Sequence, residues 1–404
     1  MKKKVLVVYP HNFFAEKSGI NSRYIELLRY FRAVDINVDL LTLKNFKSSW
    51  ENNQTGPNGL VDNIFFYDFK KGARWQSPKN RKQNPLAWLK KYIPFTHAYT
   101  NLPDYAYPGM KKRFNEIIQK KHYDFIIISY VYWAGLIADK TLKGITTTVL
   151  DLSDFITLNR FDSAGGDVKI GPMIEEEIRR VNHFDKVMCI SEDEKAFFSQ
   201  FAQRPEYYYV PFFMEKNISP KNENIKYHIM FIGSDNPHNR KGIQWFFENV
   251  CPYLFSSIRI VIVGSITKYI TPTTNVTCLP LVEKISDIYH RSKISICPLL
   301  GGTGMKIKVV EALSFGLPVV TTSKGLAGFS SKIKNGCLVA DTPEKFARMI
   351  QLLLSDNDFY NQQQKHAEDF FMENFEKSTV YCQLNELFVD DMDRIDTQIL
   401  NIKE

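Results

Sequence analysis

GGTGMKIKVVEALSFGLPVVTT, Gly301 to Thr322, follows an apolar, strand-like run from Ile294 to Leu300 and decides the fold. A strand that runs into a glycine-rich turn and then a helix is where an α/β fold holds phosphate. Amides at the helix start, expected here at Gly302, Thr303 and Gly304, have no intrahelical partner, and the helix dipole adds positive potential at the same end. Glu311 lies eight positions beyond Thr303, about two turns along one side. A carboxylate there accepts hydrogen bonds from a ribose whose diphosphate rests on the amides. Gly316 supplies the helix stop and Leu317-Pro318-Val319-Val320 opens the next strand, so the unit reads strand, turn, helix, strand.

The same alternation extends in both directions. Upstream of the turn, strands are expected at Ile229 to Ile232, Arg259 to Val263 and Val276 to Leu279, with helices at Gly242 to Phe255 and Ser286 to Arg291. An earlier series opens with a strand at Val5 to Tyr9, a loop holding Ser18-Gly19, a helix from about Asn21 to Ala33 and a strand at Val38 to Leu43. Further strands are read at Ile126 to Tyr130, Thr147 to Leu150 and Val187 to Ile190, the last behind a helix at Met173 to Phe184. Alternation of this kind argues for parallel sheets covered by helices. Regularity fails between residues 52 and 108, read as an irregular insertion, where Trp88, Leu89, Tyr92, Ile93 and Phe95 stand among lysines and suggest either a membrane-surface patch or a helix docked on its own domain. A polar stretch with two prolines, Pro211 to Glu223, reads as a linker. The expected division is therefore an N-terminal domain over residues 1–212, a C-terminal domain over 213–370 and a helical segment over 371–404 packed on the outside or back toward the N-terminal domain.

At 404 residues the chain exceeds what one core organises. A net charge of +8 suits a protein that meets anions, and the 14% aromatic content serves the core for the most part. No dense basic array interleaved with aromatics marks a nucleic-acid module. The six cysteines are scattered without CxxC pairs, which points to reduced thiols in a cytoplasmic protein. The apolar run after Met1-Lys2-Lys3-Lys4 ends at Tyr9-Pro10, so it reads as a first strand and not an export signal, and no run approaches the roughly 20 residues of a spanning helix.

Three segments together resemble a known family. FIGSDNPHNRKGIQWFFENVCPYL (Phe231 to Leu254), ISICPLLGGTGMKIKVVEALSFGLPVVTT (Ile294 to Thr322) and DKVMCISEDE (Asp185 to Glu194) are similar to retaining GT-B glycosyltransferases, in particular the fourth family, group 1, which elongates bacterial surface polysaccharides. The resemblance implies an α/β GT-B fold, two Rossmann-like domains with parallel sheets facing across a cleft. It implies a nucleotide-sugar donor, UDP- or GDP-linked, on the C-terminal domain and a glycan or lipid-linked acceptor on the N-terminal one. It also implies cell-surface polysaccharide synthesis (capsule, O-antigen or exopolysaccharide), no metal, no cofactor beyond the donor, no nucleic-acid partner, and a cytoplasmic place with peripheral contact at the inner membrane. A nucleotide-sugar 2-epimerase of the same fold and a non-catalytic nucleotide-sugar-binding subunit stay open as alternatives.

Carried onto this chain, the resemblance makes Gly302, Thr303, Gly304, Met305, Lys306 and Glu311 donor-binding candidates, with Lys241 and Arg240 beside Gly242 as phosphate contacts and Gly19 as a small-residue loop position. Two positions depart from it. Thr303 stands where many members place a first glutamate, and Ser234 where many place arginine; Lys306 is the candidate replacement cation, while Lys308 reads as a helix-surface lysine, its alternative being a second phosphate contact. Asp154, just past a strand end with Asp151, is the catalytic candidate on the acceptor side, its alternative being a helix cap. His183 reads as a packed or capping residue, and Asp390, Asp391, Asp393 and Asp396 as a solvated helix face, so no metal is assigned.

Overall fold

The computed structural model describes residues 2–14, 19–44, 59–68, 102–138, 146–164, 169–217 and 225–389. Ser18, residues 81–95, most of the expected insertion and the Asp390 to Asp396 group lie outside these. The chain divides into two units, Met1–Cys189 with Lys195–Tyr208, and Ile190–Glu194 with Tyr209–Glu404.

The first series of elements is β1 (Lys4–Val8), α1 (Gly19–Ala33), β2 (Asn37–Lys44), β3 (Asn63–Asp68), α2 (Pro108–Lys120), β4 (Phe125–Ser129), β5 (Thr147–Leu152), α3 (Ile156–Ala164), α4 (Ile170–Val181), β6 (Lys186–Cys189), α5 (Glu192–Phe201) and β7 (Glu206–Tyr209). The strands form one sheet in the order β3-β2-β1-β4-β5-β6-β7. Strands β1 to β6 pair in parallel, with Val7 opposite Leu40 on one side and Ile127 on the other. Near-continuous apolar runs such as KVLVV and FIIIS follow from burial on both faces. One expectation is corrected here: residues 63–68, inside the span read as irregular, form a regular edge strand with Ile64 opposite Leu40. Its half-buried side chains and flanking polar residues weaken the strand pattern.

The second series is β8 (Tyr227–Ile232), α6 (Pro237–Trp245), β9 (Ile260–Val263), β10 (Val276–Leu279), α7 (Ile285–His290), β11 (Ser292–Cys297), α8 (Ile307–Ser314), β12 (Val319–Thr321), β13 (Cys337–Val339), α9 (Pro343–Ser355), α10 (Asn357–Asn374) and α11 (Lys377–Phe388). Its sheet is fully parallel, ordered β10-β9-β8-β11-β12-β13. Side chains alternate between the two faces, as the strand period demands. Ile229, Phe231, Ile260, Ile262 and Ile294 pack with Ile243, Phe346 and Ile350, whereas Met230, Val261 and Val319 pack with Val309, Leu313 and Phe371.

Helix α6 begins five residues ahead of the expected Gly242. Asn236 caps it, its side chain accepting from the Asn239 amide at 2.8 Å, and Pro237 takes the first helical position. Asn-Pro was the start signal, and the glycine beyond it serves packing instead. Among the described residues no helix is long and apolar enough to cross a membrane. All six cysteines are free thiols.

Candidate functional site

Where strand order in a parallel sheet reverses, a crevice opens outside the carboxyl ends of the two strands concerned, and ligands bind there. In the second unit the reversal falls between β8 and β11. The loops leaving those strands are residues 233–236 and 298–306, so the glycine turn singled out in the sequence lies at this point.

The turn is built around a lysine. Lys306 is buried, and its ammonium donates to the carbonyls of Gly302, Thr303 and Gly304 at 3.1, 2.9 and 2.7 Å. Gly302 and Gly304 have φ of +96° and +71°, a region that side chains with a Cβ rarely enter. The peptides of this turn are trans, so each carbonyl turned toward the ammonium turns the next N–H away from it. The amides of Thr303, Gly304 and Met305 therefore point away from the ammonium, and among the described residues they donate to no protein acceptor. Successive amides left without protein partners can form an anion-binding concavity. Thr303 Oγ1 is enclosed without a hydrogen-bond partner.

This geometry corrects the expected helix start. Helix α8 opens at Ile307 with Lys306 as its N-cap, so Gly302, Thr303 and Gly304 precede the helix rather than forming its first turn. The positive φ values of the glycines are incompatible with helix at those positions. Met305 turns its side chain into the core, which leaves only its backbone to a ligand.

Two charged side chains follow on one face of α8, three positions apart. Glu311 accepts from the Tyr289 hydroxyl at 3.1 Å; burial holds its carboxyl above the usual carboxylate range, opposed by that hydrogen bond and by Lys308. Lys308, read from sequence as a surface lysine, is not one. Its ammonium donates to Asn239 Oδ1 at 2.6 Å and lies 4.3 Å from the Phe231 ring centroid, and burial lowers its pKa to about 8. The lysine thereby ties α8 to α6 across the crevice.

Helix α6 lies against the strand-end loops because Gly242 allows it. A Cβ there would sit 2.6 Å from the Pro298 carbonyl oxygen. The His238 ring lies beside Gly301 and Gly302, where an added Cβ would meet it at 3.4 and 3.5 Å. Lys241 is exposed on this helix. Arg240 is drawn into a surface group, 3.1 Å from the Tyr269 hydroxyl and 3.4 Å from Asp235 Oδ1, while Lys268 pairs with the same Asp235 carboxylate. Ser234 is exposed, and its carbonyl accepts from Asn239 Nδ2 at 2.9 Å.

The remaining candidates belong to the first unit. Gly19 is the first residue of α1. Asp151 is fully buried, accepting from Arg23 at 2.8 Å and from Ser153 at 3.1 Å, so it holds α1 to the end of β5. At the α3 amino end Glu177 accepts from the amides of Ile156 and Thr157, both at 2.9 Å. Asp154 bears on Tyr130 and Tyr132, whose hydroxyls are pushed up first by burial and then by neighbours that include this carboxylate, Tyr132 to about 12. Tyr130 has φ of +60° and ψ of 144°, a strained backbone at the carboxyl end of β4. His183 follows α4, its Nε2 3.2 Å from Arg179 Nη1. Among the described residues no three His, Cys, Asp or Glu side chains are placed to hold a metal ion.

The structure thus gathers Gly302, Thr303, Gly304, Lys306 and Glu311 at one sheet edge with Arg240 and Lys241 nearby, and places Gly19 and Asp154 in the other unit. Sequence reasoning missed the parts played by Lys308, Asn239, His238 and Tyr289. For Lys308 a signal was available, its spacing of three from Glu311 on an amphipathic helix.

Residues 226–356 match the family model for Glycosyl transferases group 1. A relative from Klebsiella pneumoniae, an uncharacterized 44.6 kDa protein in the cps region, is 24% identical over 68% of this chain and 76% of its own length. Among solved structures, sucrose-phosphate synthase from Thermosynechococcus elongatus superposes with a TM-score of 0.69 at 15% identity, covering 96% of this chain and 98% of that one. Anabaena HepE in complex with UDP and glucose gives 0.63 at 13% identity over 95% and 99%.

Proposed function

We infer the reaction from the premise that this chain is a glycosyltransferase of GT-B fold, with a group 1 domain over residues 226–356. The donor is a nucleoside diphosphate sugar bound at the β8/β11 crevice of the second unit. The observation that carries this reading is the run of three amides at Thr303, Gly304 and Met305 that turn away from the Lys306 ammonium and meet no described protein acceptor, followed on α8 by Lys308 and Glu311. Amides take the diphosphate, Glu311 takes ribose hydroxyls, and Lys308 with the α8 amino end offsets charge on the departing diphosphate. Lys306 holds the amides in place and reaches the ligand only through them. HepE, solved with UDP and glucose, supports a donor of this class.

The acceptor is a glycan or lipid-linked hydroxyl on the first unit. In the transfer the bond from sugar C1 to the diphosphate oxygen breaks, C1 bonds to the acceptor oxygen, and the acceptor proton passes to the departing phosphate oxygen. That course retains configuration and calls on no metal; Asp154 is the side chain offered as an aid to proton removal. The cps-region relative supports a place in polysaccharide synthesis. The test is turnover: purified protein with a panel of nucleotide sugars and surface-glycan acceptors should release nucleoside diphosphate faster with one acceptor than without, and release from no donor would remove the assignment.

A further inference from the structure

The second sheet has another concavity, at the opposite edge from the glycine turn. It is a cavity of about 880 Å³ at the amino ends of the strands, bounded also by the carboxyl ends of α7 and α9 and the start of α10. Its volume falls within the ~300–1,000 Å³ of small-molecule sites. Along β11 the two edges are separated by roughly 17 Å, at about 3.3 Å per residue.

The chemistry of the lining is one-sided. Three basic side chains come from the strand starts, His228, Arg259 and Lys293, and a fourth, His290, from the end of α7, while among the described residues no Asp or Glu lines the cavity. The Arg259 guanidinium gives hydrogen bonds to the Lys226 and Ile225 carbonyls at 2.6 and 3.4 Å, and Lys293 gives one to Leu354 at 3.4 Å. Each retains further N–H donors, and neither forms an ion pair with a described carboxylate. His228 is held below its usual range by burial and then by Arg259 and Lys293, as expected where positive potential is uncompensated.

Opposite the cations are flat aromatic surfaces. Phe315 is the half-buried face of a stack on the buried Tyr289, with ring centroids 4.5 Å apart and planes 6° from parallel, and the Tyr360 ring lies beside Lys293, 5.0 Å from its ammonium. Asn357 and Gln364 add amides on the α10 side. Helix-end neutralisation accounts for His290 and for one donor of Lys293. It does not account for Arg259 and His228, which come from the β9 and β8 ends of the strand edge.

We propose that this cavity is a second ligand site, taking a small organic anion whose planar or apolar body rests on Phe315 and the edge of Tyr360 and whose phosphate or carboxylate head meets Lys293 and Arg259. The site does not depend on the donor assignment. Its test is a titration of the full chain, by calorimetry or saturation-transfer NMR, with phenyl phosphate, benzoate, inorganic phosphate and the neutral phenyl β-glucoside, with and without excess UDP. Phenyl phosphate or benzoate should bind in the millimolar range or tighter whether or not UDP is present, at least about ten-fold more tightly than the neutral compound or inorganic phosphate. Which of the two anions binds better distinguishes a phosphate from a carboxylate head. Binding should weaken at least about ten-fold in Lys293→Glu and in Asn361→Trp, an exposed position on the rim that leaves the core untouched. Displacement by UDP, equal binding of the neutral compound, wild-type affinity in both variants, or no binding at all would overturn the proposal.

Discussion

The Lys308 ammonium donates to Asn239 Oδ1 at 2.6 Å, joining α8 to α6 over the carboxyl ends of β8 and β11. Burial is the main reason that its pKa falls to about 8. Between about 8 and the ordinary lysine value the unfolded chain binds the proton more often than the folded one, so stability contributed through this group rises with pH across that window. Comparing urea unfolding of wild type and Lys308→Met from pH 7 to 10 should show the difference moving in favour of wild type as pH rises. A difference independent of pH would contradict the burial argument. If Lys308 offsets charge on the diphosphate as proposed, kcat/KM of the free enzyme should fall as pH passes about 8, where its ammonium is lost, and Lys308→Met should lack that limb.

The proposed role of Lys306 is to shape the turn through three loop carbonyls rather than to touch the ligand. Lys306→Met leaves the carbonyls of Gly302, Thr303 and Gly304 without their donor and frees the amides to turn. Donor affinity should fall at least about ten-fold, with a stability loss of about 1–3 kcal/mol. Lys306→Arg should recover part of the affinity, which a direct charge contact and a positioning role both allow. The hydrogen exchange of the Thr303, Gly304 and Met305 amides separates them: it should accelerate in Lys306→Met without ligand if the lysine positions the loop.

In the first unit, Arg23 and Asp151 form a pair with side chains 3% and 0% exposed. Arg23→Met leaves a buried carboxylate uncompensated and should destabilise the protein by about 3–5 kcal/mol. Adding Asp151→Asn should restore a large part of that loss. Equal stability of the single and double variants, measured by denaturant unfolding, would show that the pair is not coupled.

The parallel architecture was legible because fully buried strands read as apolar runs: β4, β9 and β11 each carry three or more consecutive Ile or Val positions or alternate them with small residues. Strand β3 was not, since its half-buried residues at the sheet edge give a weak pattern. Within the site, Glu311 was legible from its spacing after the turn. The loop's inner order was not, because it depends on a lysine folding back on three carbonyls two to four residues earlier, and nothing in GGTGMK distinguishes that from a lysine reaching outward. Lys308 was misread for a related reason: its partners, Asn239 and Phe231, are about 70 positions away in sequence and meet it only through the sheet.

Donor binding by the turn and α8 is the central claim, and affinity for nucleotide sugars tests it most directly. Calorimetric titration of wild type and Glu311→Ala with a panel of UDP- and GDP-sugars should find at least one donor that binds wild type and binds the variant at least about ten-fold more weakly. Because burial raises the Glu311 pKa, that affinity should begin to fall, as pH is lowered, above the pH at which an ordinary carboxylate titrates. Binding of no nucleotide sugar by wild type, or equal affinity in Glu311→Ala for the donor that binds, would contradict the account.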